Sequence, residues 1–238
     1  MKNIIVALAI LFFQTANCQT FNIQKKEILQ LVVNHSQQLG TVQQLLLVVN
    51  DHDTSNKAIL VALEKKNKKW KLVNHPVQAS IGRNGFAMPG KKREGDGKSP
   101  TGLFALGQLF SYENTINTDL PFIQTFEDDK WIDDSNHPDY NKYIKGTTTA
   151  TSFEHLHLPG IYYKYCMVIE YNTHPVEKGM GSAIFFHVAD EKYSATAGCI
   201  AIQESDMSRI LRWLKSQMNK AILMGTLSQI NTAAISKQ

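Results

Sequence analysis

The chain has 238 residues, of which 43% are hydrophobic and 19% charged, with a formal net charge of +4 at pH 7. These proportions belong to an ordinary globular protein large enough for a substantial core, and they exclude a disordered or fibrous chain. The positive excess is mild and gathers in two loop-like stretches, 65–69 and 91–98, without interleaved aromatics, which argues against nucleic acid as a partner.

The first residues, MKNIIVALAILFFQTANCQT, combine Lys2, an apolar stretch from Ile4 to Phe13 and small or polar residues around Ala16 and Cys18. This is the pattern of a secretory signal peptide over 1–18, its apolar core too short to span a bilayer. Cleavage after Cys18 leaves Gln19 first; alternatively Cys18 is a lipid-carrying residue. The expected location is therefore exported, periplasmic or in the cell envelope, with or without a lipid anchor at Cys18. Loss of the leader removes Lys2 and lowers the formal charge by one, to +3.

Residues 19–42 form an N-terminal helical segment, with Ile28, Leu29, Leu31, Val32 and Leu39 at roughly helical spacing. A single larger domain, 43–238, follows. QQLLLVVN (43–50) is an apolar run of strand length, and AILVALEKKNKKWKLV (58–73) predicts a hairpin turning at Lys65–Lys69. GKKREGDGKSPTG (90–102) is a loop by composition, and GLFALGQLF (102–110) a strand. The stretch 111–150 is rich in Asp, Asn, Thr and Pro, and within it WIDDSNHPDYN (131–141) is expected to hold turns or cleft wall. YYKYCMVIEYN (162–172) and SAIFFHV (182–188) are expected strands. SDMSRILRWLKSQ (205–217) predicts a helix capped by Ser205, and AILMG (221–225) a last strand. The fold class is mostly β with accessory helices.

Several polar groups could suggest a cation, and none fits one. Glu94 and Asp96 are too few for calcium; Asp133, Asp134, His137 and Asp139 lack a zinc or calcium spacing; His155 and His157 have no third ligand nearby. The expected site holds no metal and no cofactor. Of the two cysteines after the leader, Cys166 lies in an apolar run as a core thiol, and whether it pairs with Cys199 is open.

His187 ends an apolar run, and Cys199 follows Gly198 in TAGC. A thiol attacks a carbonyl as thiolate and needs a base, for which imidazole serves; a glycine before it permits backbone N–H groups to approach a developing oxyanion. Spacing alone does not separate this reading from a buried thiol and a satisfied core imidazole.

The series GRNGF (82–86), KKREGDGKSPTGLFALG (91–107), WIDDSNHPDYN (131–141), YNTHPVEKGMGSAIFFHV (171–188) and ATAGCIAI (195–202) resembles the L,D-transpeptidase catalytic-domain family, the YkuD-like proteins, over about residues 45–225. The resemblance is to the branch with EGDG-x-x-P-x-G and TAGC. It implies a β-sandwich-like sheet structure and an enzyme acting on peptidoglycan stem peptides through a cysteine thioester. Cys199 is then the nucleophile, His187 the base, and the N–H groups of Gly198 and Cys199 the oxyanion donors. Arg93, Glu94, Lys98 and Thr196 are the expected substrate contacts. Much of the family has Ser/Thr-His-Gly-Cys and then Arg or Asn, where this chain has Thr196, Ala197, Gly198 and, after the Cys, Ile200 and Ala201. A hydrolytic enzyme of the same fold, releasing a terminal residue or cleaving a wall amide, and a wall-binding module without turnover are the alternatives. Oligomeric state is not legible.

Overall fold

The computed structural model describes residues 23–52 and 54–232; the leader 1–18 and Cys18 lie outside the described residues. Its main sheet has ten strands, and eight of them close into a ring. In spatial order the ring runs β1 (Gln44–Asn50), β13 (Lys220–Thr226), β5 (Gly102–Ser111), β10 (Cys166–Ile169), β11 (Phe185–Val188), β12 (Ile200–Ile202), β4 (Val77–Ser80) and β2 (Lys57–Lys66). β2 then pairs back with β1, so the ring has no free edge. β3 (Lys69–Leu72) extends β2 as the expected hairpin, and β6 (Phe122–Gln124) adds to β5. A separate three-stranded sheet contains β7 (Asp129–Ile132), β8 (Tyr143–Lys145) and β9 (Phe153–His155), in the order β8, β7, β9.

Strand alternation explains how one ring supports three apolar clusters. In β1, Leu46 and Val48 face the ring interior with Phe186, Ile200 and Ile222. Leu45, Leu47 and Val49 face outward against Ile28, Leu31 and Val32 of α1 (Lys25–Asn34) and Ile230 of α4 (Leu227–Thr232). Burial on both faces is why QLLLVVN is apolar without interruption. The interior is sealed by Met207, Ile210 and Leu211 of α3 (Glu204–Trp213), whose first turn carries Glu204 and Asp206 where the helix dipole favours acids. The outer face of β5, β10 and β11 carries Phe110, Cys166, Val168 and Phe185, and Trp131 of the small sheet packs on it. Cys199 belongs to this third cluster, so the small sheet lies beside the thiol.

Five expectations change. The leading helix divides at His35, where α2 (Ser36–Leu39) begins; the His35 ring donates from Nδ1 to the Leu31 carbonyl at 2.8 Å. Ser205 lies inside α3, and Gln203 is the residue at its N-cap. The expected strand over 162–172 is confined to Cys166–Ile169, because Lys164 closes a turn onto Ile161. The one over 182–188 begins only at Phe185, because Ala183 takes a left-handed backbone at φ 51°. The stretch 111–150, in which no strand is expected, supplies β6, β7 and β8. No helix among the described residues is long and apolar enough to cross a membrane.

Candidate active site

β11 and β12 run parallel, with Phe186 opposite Ile200 and His187 opposite Ala201. Alternation then sends Phe186, Val188, Ile200 and Ile202 into the ring interior, and Phe185, His187, Cys199 and Ala201 to the outer face. His187 and Cys199 are thus diagonal neighbours on one surface, and both line a cavity of about 350 Å³. The return loop from β11 is pinned along its length. Asp190 Oδ1 accepts the Ser194 N–H at 2.7 Å, Ser80 donates to the Tyr193 carbonyl at 2.8 Å, and Lys57 Nζ reaches the same carbonyl. Thr196 N–H donates to the Ile81 carbonyl at 3.0 Å.

The turn that carries Cys199 is held by two hydroxyls. Thr196 Oγ1 donates to the Cys199 carbonyl at 2.7 Å and accepts the Gly198 N–H at 3.1 Å. Ser99, fully buried, accepts the Gly82 N–H at 2.9 Å and donates to the Gly198 carbonyl at 2.7 Å, joining three distant segments at one oxygen. Glycine is required at 198 and 82 by contact. A Cβ on Gly198 would stand 2.9 Å from the Lys98 carbonyl oxygen, and one on Gly82 would stand 2.5 Å from that of Gly97.

His187 is 7% exposed and stacks edge-on against Tyr163, with ring centroids 5.4 Å apart. Its Nδ1 lies 2.8 Å from the Val188 carbonyl, which can only accept, so Nδ1 carries the hydrogen in this bond. Burial holds the imidazole down at about 4, from an ordinary 6.5, although backbone bonds to Val188 and Tyr162 favour its protonation. Cys199 Sγ donates to the Ala183 carbonyl at 3.2 Å and accepts the Phe185 N–H at 3.3 Å. Burial pushes this thiol up to about 12, opposed by the Phe185 N–H and the Lys92 charge. Burial thus favours the neutral form of each group.

Cys166 and Cys199 are both free. Cys166 stands directly opposite His187 on β10, so β11 lies between the two cysteines. Two strand spacings separate their backbones by roughly 9.5 Å, beyond the ~7 Å reach of a disulfide.

The expected substrate contacts divide. Glu94 and Thr196 line the cavity. Glu94 accepts from the hydroxyls of Tyr140 at 2.5 Å and Ser182 at 2.6 Å, joining its loop to the segment that enters β11. Arg93 and Lys98 are not among the lining residues: the Arg93 guanidinium donates to the carbonyls of Gly90 and Lys92, and the Lys98 N–H donates to Asp96. The Gly198 N–H, an expected oxyanion donor, is engaged by Thr196. Residues outside the expected set of substrate contacts also line the cavity, among them Arg83, Lys92, Asp133, Glu154, Tyr162 and Tyr163. Lys92 is 3% exposed, with Nζ on Asp96 Oδ1 at 2.6 Å and the Arg93 carbonyl at 2.7 Å. Burial raises Asp133 and Glu154, and Glu94 adds to both. Asn141, in the polar stretch before β8, accepts from Trp131 Nε1 and the Ala183 N–H and donates to the carbonyls of Tyr171 and Asn172. It thereby fixes the turn whose carbonyl meets the thiol. Among the described residues no group of three or more His, Cys, Asp or Glu side chains is placed to hold a metal ion.

This arrangement of ring and outer-face site is accompanied by a family match: residues 46–230 fit the YkuD L,D-transpeptidase catalytic domain, and the chain belongs to that family. No curated protein matches it. Among solved structures, it is similar to Bdellovibrio bacteriovorus Bd1075, with 14% identity and a TM-score of 0.41 over 78% of this chain and 48% of that one. It is also similar to the helical cell shape determining protein Pgp2 from Campylobacter jejuni, with 16% identity and a TM-score of 0.40 over 79% of this chain and 48% of that one. The chain therefore spans about half the length of these structures.

Proposed function

We propose that this chain is an exported cysteine acyltransferase that acts on peptidoglycan stem peptides, with Cys199 as nucleophile and His187 as base. The observation that carries the reading is the shared outer face of β11 and β12, from which imidazole and thiol enter one cavity. With Nδ1–H on the Val188 carbonyl, the imidazole has Nε2 free of hydrogen to accept a proton. In the proposed reaction the thiol turns from the Ala183 carbonyl and gives its proton to Nε2 as Sγ bonds to the peptide carbonyl carbon. The C–N bond then breaks, the imidazolium protonates the leaving amine, and a thioester remains on Cys199. An amine or water attacks the thioester, giving transfer or hydrolysis, and the thiol is regenerated. Burial lowers the imidazole and raises the thiol, so in this reaction the thiolate forms as the proton passes to His187. The reaction draws on no metal or organic cofactor. Export through residues 1–18, into the periplasm or envelope, is part of the same proposal.

One observation favours a second reading, a wall-binding module without turnover: the resting thiol donates to Ala183 and is held near 12. Incubation of the purified chain with muropeptides, followed by mass spectrometry, separates the two. An acyl adduct on Cys199 with shortened or cross-linked peptides is expected. Equal binding by wild type and Cys199→Ala, with no product from either, leaves only the binding module.

A further inference from the structure

The cavity contains two cations of different standing. Lys92 is buried and its ammonium is committed to Asp96 and to the Arg93 carbonyl. Arg83 is exposed and lines the same cavity; among the described residues no carboxylate pairs with its guanidinium and no carbonyl accepts from it. Its position is nevertheless fixed. The Arg83 N–H donates to the Thr196 carbonyl at 2.8 Å, and Gly82 bridges Thr196 in parallel. Thr196 in turn bonds the carbonyl of Cys199, so two hydrogen bonds connect Arg83 to the nucleophile. The side chain lies across Gly97, where a Cβ would come within 2.8 Å of Arg83 Nε and 3.0 Å of its Cγ. The second glycine of EGDG therefore makes room for this arginine as well as for the turn.

Ile200 and Ala201, which follow Cys199, are buried apolar strand residues, so the exposed cation of the cavity comes from a different segment, at Arg83. Glu94, Asp133 and Glu154 line the cavity too, and their field disfavours an anionic group at their side. A guanidinium presents paired N–H donors that match a carboxylate in plane.

We propose that Arg83 is the specificity-determining residue that receives the free terminal carboxylate of the peptide, placing the last peptide bond over Cys199. This inference rests on the acyltransferase reading for its reaction, but the binding it describes is measurable without turnover.

The test titrates Cys199→Ala protein by calorimetry with a synthetic stem tetrapeptide ending in D-alanine, once as the free acid and once as the C-terminal amide. The acid is expected to bind about 10- to 100-fold more tightly, the range for a charge-assisted contact. Adding Arg83→Gln should abolish the difference, and Arg83→Lys should restore part of it. In the Cys199 form, Arg83→Gln should raise KM for the acid by a similar factor with little change in kcat. The side chain is exposed, and its backbone bonds are unaffected by the change, so unfolding is not expected; a thermal melt checks this. A preference for the acid that survives Arg83→Gln, equal binding of acid and amide, or binding of neither overturns the proposal. Acid-selective binding lost in Arg83→Gln, but without any thioester in the Cys199 form, removes the acyltransferase reading and leaves the role of Arg83 in recognition standing.

Discussion

Ala201 stands directly across from His187 on the neighbouring parallel strand, so the imidazole has only a methyl group beside it on that flank. The other flank is Cys166 on β10, fully buried. Space near the imidazole on that flank is therefore set by a single methyl group. Replacing Ala201 by Leu is expected to cost about 1–3 kcal/mol through overpacking. It should also move the His187 ring against Tyr163 and lower the yield of Cys199 adduct more than that stability loss explains. Urea denaturation and adduct mass spectrometry on one preparation check both; full adduct formation with Leu at 201 would show that this flank does not position the base.

Burial of neutral His187 makes stability fall in acid. Its folded value is about 4 against 6.5 for the free group, so the unfolded chain binds the extra proton first as pH drops. The contribution is fully present above pH 6.5 and is lost as pH falls towards 4, amounting to about 3 kcal/mol, at roughly 1.4 kcal/mol for every tenfold change in proton affinity. His187→Gln, which cannot titrate, should flatten this part of the curve. Unfolding free energies measured from pH 7 to pH 4 on both proteins should diverge in slope below pH 6.5, and parallel curves would contradict the effect of burial on the imidazole.

The thiol gives the opposite dependence. With Cys199 near 12 and an unfolded value of 9.0, the native chain retains its proton while the unfolded chain loses one. Stability should decline between pH 9 and pH 12. Thiolate at pH 8 should be roughly 1000-fold scarcer than in a free cysteine, since the ionised fraction falls tenfold each time the pKa rises by one. Alkylation of the native protein by iodoacetamide is thus expected to be slow at pH 8 and to rise about tenfold per pH unit to pH 11. A plateau already reached near pH 7 would instead mean that thiolate and imidazolium exist as a resting pair.

Much of the ring is legible in the chain because its strands advertise themselves. QLLLVVN is buried on both faces, and the hairpin of β2 and β3 is bounded by a charged turn. The small sheet is not legible: β7, β8 and β9 are three or four residues each, lie among Asp, Asn and Thr, and pair across long loops. No periodicity survives in segments so short. At the site, His187 and Cys199 are indicated by their motifs, whereas spacing alone is neutral. The cleft wall is less faithfully written: charge in REGDGK suggests Arg93 and Lys98, yet neither lines the cavity, and the Arg93 guanidinium bonds the backbone carbonyls of Gly90 and Lys92. Arg83 lies inside GRNGF, but only the bridge from Gly82 to Thr196 shows that it borders the turn that carries Cys199. Glu154 carries no local signal beyond its charge; its place follows from pairing with Trp131.

Ser99 offers the sharpest separation of positioning from chemistry. Its hydroxyl accepts from Gly82 and donates to Gly198, so Ser99→Ala leaves a buried N–H and a buried carbonyl each short of one partner. A loss of about 1–3 kcal/mol is expected from such a change. The turn that carries Cys199 should loosen as well, because Thr196 is then the remaining hydroxyl that bonds the backbone of Gly198 and Cys199. Ser99→Thr keeps the hydroxyl, but adds a methyl to a site with no exposed surface, and should recover part of the adduct yield while remaining less stable than wild type. Adduct formation measured well below each variant's melting midpoint distinguishes the two effects. If Ser99→Ala forms adduct at the wild-type rate once its lower stability is taken into account, the three-segment junction serves the fold and not the placement of Cys199.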